Sequence, residues 1–284
     1  MTTMTVLGAV LGGGLVGCGT SGHPRLDRPA PADRTAAATG ASAPATPPAA
    51  TKPPTVAPGP AGLTSVFERG RQHARKVVAL TFDADMTADE GARAAAGERF
   101  DNPGLIALLR RLKVPATVFM TGRWAEEYPA QARSIGTDPL FEIGNHSYSH
   151  YAFTSPCYGL PTVDKDAMRG EVERAFGAIR KTGARNVVPY FRFPGGCYDD
   201  ISLRTLAPEN VTAVQWDVVS GDAFATDADA VAEQVLDGVR PGSLVVMHCT
   251  RSAAPVTDEA VRQVVPELRA RGYRFVKVSE LMAG

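Results

Sequence analysis

An α/β fold, a distorted (β/α) barrel with about seven parallel strands, is what this sequence predicts, and three observations predict it. Seven apolar runs rich in strand-forming residues alternate with segments of helical period. After an Ala/Pro-rich leader, about 215 residues remain, enough for one sizeable core. Acids, histidines and an arginine fall at or just after the C-terminal ends of the runs, where a parallel barrel assembles a site from distant parts of the chain. The regular alternation favours a barrel over an open doubly wound sheet.

Residues 1–18 are expected to be an export signal. The apolar segment Val6–Val16 is too short to span a bilayer but suits an h-region, although no Lys or Arg precedes Arg25. Leu15-Val16-Gly17-Cys18 resembles a lipobox, which makes Cys18 the expected lipid anchor, with plain secretion as the alternative. Residues 19–61 are almost entirely Ala, Pro, Thr, Ser and Gly and cannot bury enough apolar surface to order themselves. They read as a tether to a catalytic domain at 62–284, outside the cell or on the outer face of its membrane. With 30 basic and 30 acidic residues, the chain lacks the positive surface that a nucleic-acid partner requires. A monomer is expected. If Cys18 carries lipid, Cys157, Cys197 and Cys249 leave one disulfide, in any of three pairings, and one thiol.

Within the domain, Val77–Phe82 is the first strand. Asn102-Pro103 opens a helix through Arg111, Pro115–Met120 is a strand, and Arg123–Ser134 a helix. Phe141–Gly144 is short and extended, and Val163–Lys181 carries apolar residues at helical spacing. Strands at Asn186–Phe191 and Ala213–Val219 flank a short helix at Ile201–Leu206. A helix at Asp227–Val239 with Thr226 as its cap, a strand at Ser243–Met247, a helix at Thr257–Arg271, a strand at Tyr273–Val276 and a turn at Ser279–Met282 complete the chain.

Five stretches carry the chemistry. Asp83 and Asp85 close the first strand, and residues two apart on an extended strand point to the same side. Asp83-Ala84-Asp85 also occupies the place where a dinucleotide fold needs glycines, so no such site is expected. His146 and His150, four apart, fit one helical turn that would present both rings to one ion. Arg192-Phe193-Pro194-Gly195-Gly196, the segment Gln215–Asp222, and Leu244–His248 follow.

Taken in order over about Lys76–Leu281, these stretches resemble the five motifs of the polysaccharide deacetylase family, the carbohydrate esterases with a NodB homology domain. The resemblance implies a divalent metal, zinc by default with cobalt or manganese as alternatives, held by His146, His150 and an aspartate. It makes Asp83 the general base and Arg192 the group that holds it. His248 becomes the general acid, oriented by Asp222, for which Asp217 is a rival. The family has its metal aspartate directly after the base, where this chain has Ala84. Asp85 is therefore the expected third ligand, with a plain turn-capping role as the alternative. The family's aromatic before the last glycine of the third motif is Gly195 here, which leaves Tyr198 to replace it. The tryptophan expected after Asp222 is Ala223. Leu244 and Met247 are candidates for the acetyl-methyl pocket, a backbone N–H near Tyr151 for the oxyanion, and Trp216 for a barrel wall or sugar platform.

The implied activity is metal-dependent removal of N-acetyl groups from N-acetylglucosamine-type units of peptidoglycan or chitin oligomers. O-acetyl xylan, another N-acyl amide, or a non-catalytic carbohydrate-binding relic are the alternatives.

Overall fold

The computed structural model describes residues 52–71 and 75–284; the expected export signal, Cys18 and the leader through residue 51 lie outside them. Among the described residues nine strand segments form one sheet: β1 Val66–Phe67, β2 Val77–Ala84, β3 Ala116–Met120, β4 Phe141–Asn145, β5 Val187–Phe191, β6 Thr212–Val214, β7 Val218–Val219, β8 Ser243–His248 and β9 Arg274–Phe275. Every pairing is parallel, in the order β1-β6-β5-β4-β3-β2-β8-β7, with β9 added against β2. The curl of this sheet follows from one connection. β6 and β7 lie towards opposite ends of the strand order, yet only Gln215, Trp216 and Asp217 separate them, and so few residues span no more than about 14 Å. The two arms must therefore approach each other, which bends the sheet into an open, distorted barrel of the expected class.

Around the sheet run α1 Gly91–Ala95, α2 Pro103–Leu112, α3 Gly122–Glu127, α4 Pro129–Gly136, α5 Met168–Lys181, α6 Asp200–Leu206, α7 Ala228–Gly238, α8 Thr257–Ala270 and α9 Val278–Ala283. β2 shows how the layers are divided. Its residues are all buried, but Val78, Leu80, Phe82 and Ala84 pack in the outer layer with α2, α7 and α8, whereas Val77 and Ala79 pack inside the barrel with Phe119, Tyr190 and Leu244. Asp83 shares the inward phase and so emerges at the barrel mouth.

Several local departures from the sequence expectations have identifiable causes. The expected helix over 123–134 is two helices, because Pro129 restricts Tyr128 (φ −120°, ψ 55°) and starts a new one. The expected strand over 213–219 breaks at Gln215–Asp217, where the chain crosses from one arm to the other. Asp217 fastens that crossing: its Oδ1 accepts from Leu244 N at 2.6 Å and its Oδ2 from Ser243 Oγ at 2.9 Å. α7 is capped by Asp227, whose Oδ1 accepts from Asp229 N and Ala230 N, and not by Thr226. β1 and α1, too short to show a period, have no counterpart among the expected elements.

Residues 52–61, assigned to the tether, lie against the barrel: Tyr190 Oη donates to Pro54 O at 2.8 Å and Val56 N to Thr212 Oγ1 at 3.0 Å. Of the three open pairings, Cys157–Cys197 is the disulfide, and its 40-residue separation contributes on the order of 4 kcal/mol in the chain-entropy account. Cys249 is a free thiol, fully buried in the outer layer, and burial pushes it up to about 12. It is expected to resist iodoacetamide in the native protein and to react fully after denaturation, as peptide mass mapping would show.

Candidate metal-dependent active site

The mouth of the barrel brings together the ends of β2, β4, β5 and β8. Asp83 pairs in register with His248 across β2 and β8. Asp85, just beyond β2, has its backbone fixed by Thr250, whose Oγ1 accepts from Asp85 N at 2.8 Å and donates to Asp85 O at 3.3 Å. The two carboxylates then meet the same ring: His146 Nε2 lies 3.3 Å from Asp85 Oδ1 and 3.7 Å from Asp83 Oδ2. Ala84 points the other way, into the outer layer.

The histidines do not sit on a helical turn. His146–His150 is a loop leaving β4 in which Ser147 and His150 take left-handed backbone (φ 64° and 58°). Hydrogen bonds impose this geometry. Asn145 Oδ1 accepts from Ser147 N while its Nδ2 donates to Val172 O, and Ser147 Oγ accepts from His150 N. Glu171 on α5 accepts three donors on one oxygen, Tyr148 N at 3.1 Å and Ser149 N and Oγ, both at 2.7 Å. The outcome is two rings 5.0 Å apart, both directed at Asp85, with His150 Nε2 at 3.6 Å from Oδ1. Glu171→Ala leaves those donors without a partner and is expected to weaken metal binding about 10–100-fold, measured by competition with a chelating dye.

Arg192 is fully buried at the end of β5. Its guanidinium lies between Phe119 and Trp216, with Cζ 4.0 and 5.3 Å from their ring centres. Each of its three nitrogens donates: Nη1 to Asp83 Oδ1 at 2.6 Å, Nε to Val214 O and Nη2 to Gln215 O. Its carbonyl accepts from His146 Nδ1 at 2.9 Å, which fixes the tautomer and turns the Nε2 lone pair towards Asp85. On the other side, His248 Nδ1 is 2.8 Å from Asp222 Oδ1. Asp222 is held in turn by His248 N, Ser220 Oγ and Thr257 Oγ1, so Asp222 and not Asp217 is the partner of His248. His248 Nε2 faces the site, 3.9 Å from Asp85 Oδ2.

This arrangement fits a cation. Asp85 Oδ1 is buried and without a hydrogen bond of normal geometry, and it faces the ring nitrogens of His146 and His150, so the three groups together call for positive charge between them. One ligand atom from each of Asp85, His146 and His150 lies within 4.8 Å of the others, a donor set suited to a divalent ion. The electrostatics agree. Burial alone would raise the Asp85 carboxyl, but His150, His146 and His248 more than offset it and hold Asp85 well below the usual carboxylate range. Burial, with His146 and His248, takes His150 down to about 4, so it is a neutral ligand at ordinary pH. For His146 burial is outweighed by Asp83 and Asp85, so its ring is drawn towards positive charge.

Other expected site residues lie elsewhere. Met247 is fully buried in the outer layer, because alternation along β8 turns it away from the side that His248 faces. Leu244 faces the barrel interior, but four residues below His248, about 13 Å down the strand. Neither lines the site. Tyr198 stacks on Phe193 at 5.3 Å instead of covering Gly195, and Trp216 is a wall beneath Arg192. Tyr151 N–H is turned to Ser149 Oγ at 3.3 Å. Glu171, Thr250 and Thr257, which position the site, carry no sequence signal, since each acts through a contact only the fold creates, with partners 22, 165 and 35 residues away along the chain.

Fold and site together define a metal-dependent hydrolase at the mouth of a parallel barrel. The sequence model of the polysaccharide deacetylase family matches residues 70–214, and the chain belongs to that family. It is similar to the chitooligosaccharide deacetylase of Azorhizobium caulinodans, 30% identical over 186 residues that cover 60% of this chain and 83% of that protein. A peptidoglycan N-acetylglucosamine deacetylase shares the fold with a TM-score of 0.65 at 24% identity, over 78% of this chain and 94% of that one. A Bacillus anthracis protein described as a pseudoenzyme of carbohydrate esterase family 4 matches with a TM-score of 0.61 at 26% identity, over 77% of this chain and 69% of that one. With its Asp–His–His triad, this chain is a metal-dependent deacetylase. No helix among the described residues is long and apolar enough to cross a membrane.

Proposed function

We propose that the enzyme removes N-acetyl groups from N-acetylglucosamine-type units of a cell-wall or related polysaccharide, releasing acetate. The observation that carries this reading is the pair of proton-transfer groups, Asp83 and His248, that border the Asp85–His146–His150 cluster, Asp83 beside His146 and His248 beside Asp85. A divalent ion held by those three residues, zinc by default with cobalt or manganese as alternatives, supplies Lewis-acid polarisation of the acetyl carbonyl and a more acidic water.

Asp83 Oδ1 is committed to Arg192, which leaves Oδ2 to accept the proton of the attacking water. His248 holds the proton for the leaving group. Burial alone would lower its pKa, but Asp222, with Asp85 and Asp83, pushes it up to about 10, so the ring is an imidazolium at neutral pH. Its Nδ1–H stays with Asp222 and Nε2 passes a proton to the amine nitrogen as the C–N bond breaks. Acetate and a free amine result.

The similarity to a chitooligosaccharide deacetylase supports an N-acetylglucosamine polymer. The lipobox-like Leu15–Cys18 and the Ala/Pro-rich leader support action at the cell surface. Ala84, on which a non-catalytic reading rests, faces the helices and occupies no ligand position. The test is a chain beginning at residue 52, with elemental metal analysis and acetate release from N-acetylglucosamine oligomers, chitin, peptidoglycan and acetylated xylan. Bound metal and acetate from the N-acetylated polymers, abolished by His146→Ala, are expected. No metal and no acetate from metal-supplemented reactions would overturn the proposal.

A further inference from the structure

A formal net charge of zero conceals a division of charge between the two ends of the barrel. Every strand pairing is parallel, so the strands all start at one end, and the helices that follow them return to it. α9 closes that end. Val278 N donates to Thr117 Oγ1 and Ser279 N to Glu142 Oε1, each on the second residue of its strand, and Leu281 packs into the barrel interior. At the mouth, the first turns of α6, α7 and α8 expose Asp200, Asp229 and Glu259.

The closed end is basic. Lys76, Arg111, Lys113, Arg269 and Arg274 are all exposed there, and their contacts join them into one patch. Arg269 Nη2 donates to Leu112 O at 2.6 Å, which sets the end of α8 beside the end of α2. Lys76 Nζ donates to Arg271 O at 2.9 Å, and Arg274 pairs with Val77 across β2 and β9. Among the described residues none of these five bases forms an ion pair; the pairs on α8 are Arg262–Asp258 and Arg271–Glu267. The helix dipole accounts for a base in a last turn, such as Arg111 or Arg269, but not for Lys76 and Arg274, which lie outside helices. Between α2 and α8 the patch borders a groove of about 480 Å³, where Leu112, Val265 and Pro266 lie beside Arg111 and Arg269. The leader joins the domain from the same end: Pro54 O and Val56 N bond Tyr190 and Thr212, and Tyr190 faces the interior two residues before Arg192, on the closed side of the site.

We infer that the closed end of the barrel docks on the anionic headgroups of a lipid bilayer, with the bases meeting lipid phosphates and the α2–α8 groove taking the apolar boundary beneath them. A bilayer is favoured over a soluble polyanion on two grounds. The groove is apolar as well as basic, and the leader with its lipobox-like Leu15–Cys18 reaches the domain at this end. The acidic mouth is repelled by the same surface, so docking turns Asp83, His146 and His248 away from the bilayer. None of the five bases is part of the site, so the docking face and the deacetylase reading stand or fall separately.

The test is cosedimentation of the full chain, carrying Cys18→Ala so that no acyl chain anchors it, with two kinds of vesicle. One is phosphatidylglycerol and phosphatidylcholine at about 1:2, the other phosphatidylcholine alone. A preference of at least about tenfold for the anionic vesicles is expected at about 0.05 M salt, and it should vanish at about 0.5 M. The triple variant Arg111→Glu, Lys113→Glu, Arg274→Glu should lose at least about tenfold of that binding, and the same three positions changed to glutamine about three- to tenfold. Lys165→Glu with Arg251→Glu, exposed bases at the mouth end, is the control and should change it less than about twofold. Melting temperatures of the variants should match the parent chain. No preference for anionic vesicles, or a preference undiminished in the glutamine variant, overturns the docking face. Binding of inorganic polyphosphate at least about tenfold tighter per phosphate than of the vesicles overturns the bilayer as its occupant.

Discussion

Asp85→Ala is expected to abolish acetate release and to weaken metal binding by at least about a hundredfold, more than loss of a merely supporting residue. The reason is the state of Asp85 Oδ1, a buried oxygen without a hydrogen bond of normal geometry, aimed at two histidine nitrogens. Removing it takes the only carboxylate from the donor set and leaves two neutral imidazoles. A companion variant decides whether the acid has shifted by one place along the chain. Placing an aspartate at 84 in the Asp85→Ala background should not restore binding, since residue 84 points between the sheet and the helices, among Phe82, Met120 and Met247. Ala84→Asp alone should destabilise the fold by on the order of 3–5 kcal/mol, the cost of a buried charge without a partner. Dye competition for the metal and denaturant unfolding of both variants check the two halves. Restored metal binding in the swapped variant would show that Ala84 occupies a ligand position.

The periodicity of β2 explains why so much of this site was legible in the sequence. An acid at 83 and another at 85, closing an apolar run, had to share a side, and the structure places both beside His146. Arg192, Asp222 and His248 were legible for a different reason, as parts of motifs recognised by resemblance. What failed did so where three-dimensional packing overrides local pattern. The spacing of His146 and His150 suggested a helix, but the loop conformation is imposed by the adjoining Asn145 and by Glu171, 22 residues from Ser149, which no spacing rule connects to it. Met247 looked like a pocket residue because it adjoins His248, and neighbours on a strand face opposite ways. The strand expected over 213–219 shows the same limit: β-branched Val214, Val218 and Val219 stand at its two ends, yet the sheet needs its crossing between them, at Gln215–Asp217.

Asp222→Asn is expected to lower kcat by on the order of 10²–10⁴ while leaving metal binding intact, because its carboxylate bonds His248, Ser220 and Thr257 and none of Asp85, His146 and His150. All the accepting capacity of the carboxylate is in use: Oδ1 serves Ser220 Oγ and His248 Nδ1, and Oδ2 serves His248 N and Thr257 Oγ1. An asparagine must turn its NH₂ towards one of these donors, which loosens the ring and disfavours the tautomer with its proton on Nδ1. It also removes the charge that most strongly holds the imidazolium. Burial then dominates and the His248 pKa falls from about 10, so the alkaline limb of the kcat profile should move to lower pH. The same pair sets a stability trend in the metal-free protein. A histidine whose folded pKa of about 10 exceeds its ordinary 6.5 contributes stability that is fully present below about pH 6.5 and is lost as pH rises through about 10. The wild type should therefore lead the variant by most at about pH 6 in denaturant unfolding, and the gap should narrow towards about pH 10.5. An unmoved alkaline limb, with kcat nonetheless reduced, would mean that Asp222 positions the ring without supplying its charge, and that the proton reaching the amine comes from another group.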